Sequence, residues 1–216
     1  MTMPFTTLFF DLDDTLYPSN SGLWNAIRDR MSRYMVERLS LPQEEVPQIR
    51  KAYFETYGTT LRGLQRHHKV DTDEFLAYVH DLPLKEYIKA NTDVREVLLS
   101  LPQVKWVFTN ADDRHAHRVL AELALTEIFT GIIDIRATRF ACKPEIAAYE
   151  NALRIAGETN PKSCVLLDDA PRNLIPAKNM GFFTVLVSKD PPDTSADIGI
   201  SSILDLPAAF PELWET

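Results

Sequence analysis

Five short strand-like runs, four of them leading into polar residues of matching character, constrain this fold more than any other feature. Thr6–Phe10 stops at Asp11, Val104–Phe108 at Thr109 and Asn110, and Cys164–Leu167 at Asp168 and Asp169. Gly131–Ile135 precedes Lys143 by one short loop, and Phe182–Val187 is the fifth run. Several are apolar without alternation, the pattern of strands buried on both faces, and so of a parallel sheet covered by helices. Helical periodicity fills the intervals. His115–Leu123 carries Val119, Leu120 and Leu123 on one face, and Asn173–Met180 is closed by Gly181. Pro144–Ala156 carries Ile146, Tyr149, Leu153 and Ala156, with Pro144 at the first helical position. Strand alternating with helix implies an α/β, doubly wound, Rossmann-like core of about five parallel strands.

Between about Tyr17 and Ala90 the rhythm breaks. Trp24, Ile27, Met31, Tyr34, Met35 and Leu39 recur at spacings of three and four, an amphipathic helix. Further helical stretches follow at Val46–Tyr57, Thr72–Val79 and Lys85–Lys89, and strand signals are lacking. The expectation is a small all-helical domain over residues 17–89, inserted after the first strand of a core made of 1–16 and 90–216. Its linkers fall near Tyr17-Pro18-Ser19 and Ala90-Asn91-Thr92.

Composition narrows the partners. At 216 residues the chain can bury about 70% of its unfolded surface, enough for a core without staples. Two cysteines, Cys142 and Cys164, make no disulfide framework, and both read as small buried apolar residues. The net charge of −8 disfavours binding to a nucleic-acid polymer or an anionic membrane, but a local site for a small anion stays open. No run approaches 18 uninterrupted apolar residues, and the first ten lack a basic-then-apolar signal pattern. These features set the expectation of a cytoplasmic monomer or homodimer.

Ligands of open parallel sheets bind beyond the carboxyl ends of the strands. The fold therefore predicts that Asp11, Asp13, Asp14, Thr15, Thr109, Asn110, Lys143, Asp168 and Asp169 converge on one rim. Several carboxylates in one place repel each other unless a divalent cation sits among them. Oxygen ligands without thiolate or imidazole favour Mg²⁺ over zinc. Lys143 adds a point charge, Thr109 a hydroxyl donor and the loops backbone N–H groups, an assembly suited to gripping and polarising a phosphoryl group. Asp11 and Asp13, two positions apart, can divide the work of nucleophile and of general acid and base.

Asp11-Leu12-Asp13-Asp14-Thr15 resembles the first motif of the haloacid dehalogenase superfamily of phosphohydrolases. Phe108-Thr109-Asn110 is similar to the second motif, Lys143-Pro144 to the third, and Leu167-Asp168-Asp169 with Asn173 to the fourth, in the same order. The resemblance implies Asp11 as nucleophile, Asp13 as acid and base, and Thr109 and Lys143 as phosphate holders; Asn110 is expected to bind the phosphate beside them. It implies Mg²⁺ held by Asp11, the Asp13 main-chain carbonyl and Asp169, with Asp168 a ligand or its neighbour. The helical insertion matches the family's small cap.

Phe10–Pro18, Tyr57–Leu64 and Phe108–Asp112 with His115-Ala116 are similar to pyrimidine 5′-nucleotidase-like members. That narrower likeness implies a nucleoside monophosphate as substrate. The short Arg136–Cys142 loop and the Val79–Pro83 segment depart from it. Arg62 and Tyr57 are the insertion residues expected to reach substrate.

Other readings are weaker. A sugar-phosphate mutase shares the acid/base pair, and a phosphatase of another metabolite shares the whole set. A silent phosphate-binding module would lack one of Asp11, Asp13 or Lys143. A phosphoacceptor receiver would carry its paired acids on the first strand, not the fourth. A dehalogenase needs no acid at Asp13. His67-His68 lack further ligands at metal spacing, and His115 and His117, two apart, share no helix face. Trp24, Tyr34, Met31 and Met35 read as core, Asp14 as a loop residue satisfying local N–H groups, and Thr15 as orienting its loop.

Overall fold

A computed structural model describes residues 5–189 and 195–215. Two compact units emerge: Ser21–Tyr87, and the residues up to Asn20 together with those from Ile88 on.

The larger unit is built on six parallel strands: β1 (Thr7–Phe10), β2 (Val104–Phe108), β3 (Gly131–Ile133), β4 (Cys164–Asp168), β5 (Phe183–Val187) and β6 (Ile198–Ile200). Their order is β3-β2-β1-β4-β5-β6. β1 is central, with Thr7 opposite Val104 on one side and Cys164 on the other. All four β1 residues and all five of β4 are buried, as unalternating apolar runs require. Helices α5 (Thr92–Ser100), α6 (Asp113–Glu122), α7 (Ile146–Ala156), α8 (Pro171–Met180) and α9 (Leu206–Ala209) complete the unit. Phe9, Phe108, Ile133, Tyr149, Leu166 and Leu174 belong to one apolar cluster between sheet and helices.

The sheet has one strand more than the five read from sequence. Ile198-Gly199-Ile200 is three residues long with a central glycine, too brief for a periodic signal. β3 stops two residues early because Asp134 turns its carboxylate onto the N–H groups of Asp113 and Ala137. α7 begins at Ile146, so Pro144 is not at its first position. Cys142–Glu145 forms a turn instead, closed by the Glu145 N–H on the Cys142 carbonyl at 2.8 Å. Ala90-Asn91-Thr92, read as linker, starts α5, where Asn91 Oδ1 accepts from the N–H groups of Asp93 and Val94. Gly181 caps α8 at φ 103°, a conformation glycine adopts without steric cost.

The smaller unit holds α1 (Leu23–Glu37), α2 (Val46–Tyr57), α3 (Thr60–His67) and α4 (Thr72–His80). α1 buries Leu23, Ile27, Tyr34 and Met35, and Tyr34 meets Phe75 of α4 edge to face at 5.1 Å. Trp24 and Met31 are only half-buried. α3 went unread in the sequence because Gly63 weakens its pattern. The glycine is needed there: a Cβ would run into the Tyr53 ring of α2. The stretch expected to be helical at Lys85–Lys89 contributes only a 3₁₀ turn, Leu84–Glu86. No described helix is long and apolar enough to cross a membrane.

Candidate active site

The strand order reverses between β1 and β4, the switch point where a parallel sheet opens a crevice. The ladder runs one residue beyond β1, where the Asp11 N–H donates to the Leu167 carbonyl at 2.8 Å. That bond sets Asp11 at the rim beside Asp168, the last residue of β4. The Thr109 N–H likewise donates to the Ile133 carbonyl, extending β2 to the same edge.

Lys143 lies among them, 1% exposed. Its Nζ donates to Asp11 Oδ1 at 2.8 Å, to Asp168 Oδ2 at 2.6 Å and to the Phe108 carbonyl at 2.8 Å, using all three hydrogens. Burial alone would lower its pKa, but Asp11 and Asp168 overcome that and hold it above the ordinary lysine range. A charge so deep persists because it is paired and fully hydrogen-bonded.

Oxygens of Asp11, Asp168 and Asp169 lie within 4.8 Å of one another. With all three ionised, Lys143 leaves a net of two negative charges at the rim. Burial pushes the Asp169 carboxyl up to about 9, with Asp168 and Asp11 adding to the rise. Burial lifts Asp11 to about 7, against the pull of Lys143. An all-oxygen donor set with that charge deficit fits a hard divalent cation.

Asp168 is the most tied down of the three. Its Oδ1 accepts from the Ala170 N–H at 2.9 Å and from Asn173 Nδ2 at 2.9 Å, while Oδ2 takes Lys143 and a longer Asn173 contact. Asn173 is in turn held by the Tyr149 hydroxyl, which donates to its carbonyl at 2.6 Å. Asn173 thus braces an acid through its side chain.

Asn110 was expected at the phosphate. Its side chain is spent elsewhere: Oδ1 accepts the Lys143 N–H at 2.8 Å and Nδ2 donates to the Lys143 carbonyl at 3.0 Å. This reciprocal pair clamps the main chain that carries the ammonium. Thr109 is 3% exposed and its Oγ1 accepts the Ala111 N–H at 3.0 Å, a bond that does not use its own hydrogen.

Asp13 is partly exposed, its Oδ1 in contact with two side chains, Tyr17 and His115. Neither was given a role at Asp13 from the sequence. Tyr17 read as part of a linker and of the Phe10–Pro18 likeness, and His115 was quoted with Ala116 for the same subfamily likeness and weighed with His117 as a zinc site. The usable signal was the spacing Asp13 to Tyr17 together with a histidine one turn into the helix after β2. Asp14 adopts φ 61° and does not satisfy local N–H groups through Oδ1, which is buried without a partner among the described residues. Burial, then Asp13, raises its carboxyl to about 7. Thr15 is buried and its Oγ1 is also unpartnered among the described residues.

Arg62 and Tyr57 belong to the smaller unit. Arg62 stands in the first turn of α3, its N–H on the Thr59 hydroxyl, and the Tyr57 hydroxyl pairs with His67 Nε2 at 2.6 Å. His68 pairs with Tyr53 at 2.9 Å, so both histidines of that doublet serve as partners to tyrosines.

Known proteins are similar to this chain in sequence and in fold. The chain is 28% identical over 192 residues to Phosphate metabolism protein 8 of Saccharomyces cerevisiae, a match covering 82% of this chain and spanning 60% of that relative's length. The HAD-hydrolase YfnB from Bacillus subtilis bound to magnesium superposes with a TM-score of 0.65 at 14% identity, covering 98% and 99% of the two chains. A HAD phosphatase from Thermococcus onnurineus gives 0.62 at 16%, covering 94% of this chain and 96% of its own. L-2-haloacid dehalogenase from Xanthobacter autotrophicus gives 0.61 at 16%, covering 94% and 97%. At such identities these structures share the fold alone, and the fold does not choose between ester and halide chemistry. The family model of haloacid dehalogenase-like hydrolases matches residues 5–181, most of the chain. The chain belongs to the haloacid dehalogenase-like hydrolases.

Proposed function

We propose that the chain is a Mg²⁺-dependent phosphomonoesterase of a small phosphorylated metabolite, foremost a nucleoside 5′-monophosphate. The observation that carries the reading is the buried triad of Lys143 with Asp11 and Asp168, set beside a third carboxylate, Asp169. The name of the yeast relative, the magnesium in the Bacillus structure and the Thermococcus phosphatase support it.

In this reading an Asp11 oxygen attacks phosphorus, so an aspartyl O–P bond forms as the ester P–O bond breaks. Asp13 gives its proton to the leaving oxygen, then takes one from the water that hydrolyses the acyl phosphate, releasing inorganic phosphate and restoring Asp11. Lys143 keeps Asp11 oriented and offsets charge at the rim, and Thr109 offers its hydroxyl to a phosphoryl oxygen. Mg²⁺ would be held by Asp11, Asp169 and the Asp13 main-chain carbonyl, with Asp168 at its side, and supplies charge neutralisation for the transferred group. The smaller unit would act as a cap, with Arg62 and Tyr57 choosing the substrate. A halide leaves without a proton, so the two contacts on Asp13 Oδ1 favour an ester over a haloacid.

The test is phosphate release. Wild type should free inorganic phosphate from p-nitrophenyl phosphate and from nucleoside monophosphates. Asp11→Asn and excess chelator should each silence it, and Arg62→Ala should raise KM for nucleotides alone. Full turnover in Asp11→Asn would overturn the nucleophile. Product recovered as an isomeric phosphate would point to a mutase.

A further inference from the structure

Tyr17 and His115 meet at one atom. The Tyr17 hydroxyl donates to Asp13 Oδ1 at 2.7 Å, and His115 Nε2 stands 2.9 Å from the same oxygen. They reach it from separate places in the chain. Tyr17 is four residues downstream in the loop after β1. His115 sits in the first turn of α6, where the Asp112 side chain caps its N–H. Tyr17 is 4% exposed and His115 1%, while the Asp13 side chain keeps 13% of its surface open. A carboxyl group held by one bond still turns about its last torsion. Held at one oxygen from two directions, it does not, and neither of these bonds uses the other oxygen, Oδ2.

We propose that Tyr17 and His115 are positioning residues that clamp Asp13 at Oδ1, so that Oδ2 is the oxygen that passes the proton to the departing alcohol. The clamp rests on the reading of Asp13 as general acid and deepens it. It also gives the loop after β1 and the helix after β2 a shared purpose: the segment that supplies Thr109 and Asn110 runs directly into the helix that steadies the acid. When Asp13 releases its proton, the bonds on Oδ1 stabilise the carboxylate left behind without moving it.

The experiment compares two esters of different leaving-group quality through kcat/KM, which reports the step that breaks the ester bond. p-Nitrophenolate departs well without a proton, and a nucleoside or glycerol alkoxide does not. Tyr17→Phe removes one atom, and His115→Ala removes the other partner. Each should lower kcat/KM for the alkyl phosphate about 10- to 100-fold, part of the 10²–10⁴ that a positioned acid supplies, and that for p-nitrophenyl phosphate less than about threefold. His115→Gln, which retains an N–H, should recover part of the loss. In an Asp13→Asn background, neither variant should widen the gap between the two esters further. Equal losses on both esters, or none, overturn the clamp while leaving the phosphatase intact. If wild type turns over neither ester, the proposed function falls and the clamp with it. Should His115→Ala fail to fold, judged by circular dichroism, Tyr17→Phe decides.

Discussion

Lys143→Met tests whether the site is held together by charge. Methionine fills much of the same volume but removes the ammonium, and with it the bonds to Asp11, Asp168 and the Phe108 carbonyl. Asp168 is fully buried and the Asp11 side chain is 12% exposed, so water can replace the lost partner at Asp11 alone. Stripping one member from a buried ion pair costs about 3–5 kcal/mol. The larger unit has about 150 residues, for which 1 kcal/mol moves Tm by about 2–4 °C, so the melt should fall by about 6–20 °C. The loss should depend on pH. Without the pull of Lys143, burial holds the Asp11 carboxyl still higher in the folded chain, so the penalty is full at high pH. It shrinks as pH falls through that raised value toward the ordinary carboxylate range, where the Asp11 carboxyl is neutral. Circular dichroism melts of wild type and variant in chelator, from pH 5 to 9, measure both. Asp168→Asn placed in the Lys143→Met background should cost less than when made alone, a coupling of about 0.5–3 kcal/mol. A drop below about 1 kcal/mol, or strict additivity, would refute the idea that Lys143 is the counter-ion of these acids.

Mg²⁺ should stabilise the fold over chelator by about 2.7 kcal/mol at a hundred times its Kd, seen as a rise in Tm; Asp169→Asn should abolish the rise, and an unchanged Tm in wild type would contradict the cation site. Cys164, fully buried and with its thiol pushed up to about 12 by that burial, should ignore a thiol reagent at pH 8 until the chain is unfolded. Labelling of Cys164 in native protein, read by peptide mass, would show that β4 opens. Asp197 is partly desolvated, yet its bonds from Lys178 and Thr184 hold its carboxyl below the usual 3.8. Its contribution is therefore present above that ordinary value and lost as pH falls through the depressed one. Asp197→Asn should be less stable at pH 7, with the gap closing in acid; a gap that is constant with pH would remove the ionic part.

The sheet was legible because buried parallel strands leave continuous apolar runs, and the rim because four of those runs lead into residues that cannot be buried without partners. The three-residue β6 and the glycine-bearing α3 carry too few apolar positions to register. Within the site, residue types predicted chemistry but not division of labour. Asn110 looked like a ligand for phosphate because it follows Thr109. Its role as a brace becomes visible only when the Lys143 main chain is seen opposite it. His115 was quoted for a family likeness, but its partner was hidden for the converse reason: a histidine inside a helix gives no sign of an acid about a hundred residues upstream.

The placement of β1 has a price during synthesis. The strand that carries Asp11 leaves the ribosome first, yet both neighbours come far later, beginning at Val104 and Cys164. At about 5–20 residues per second, its apolar edges wait many seconds for them. Nascent chains arrested before Asp168 should therefore bind holdase chaperones, and those extended past β4 should let go.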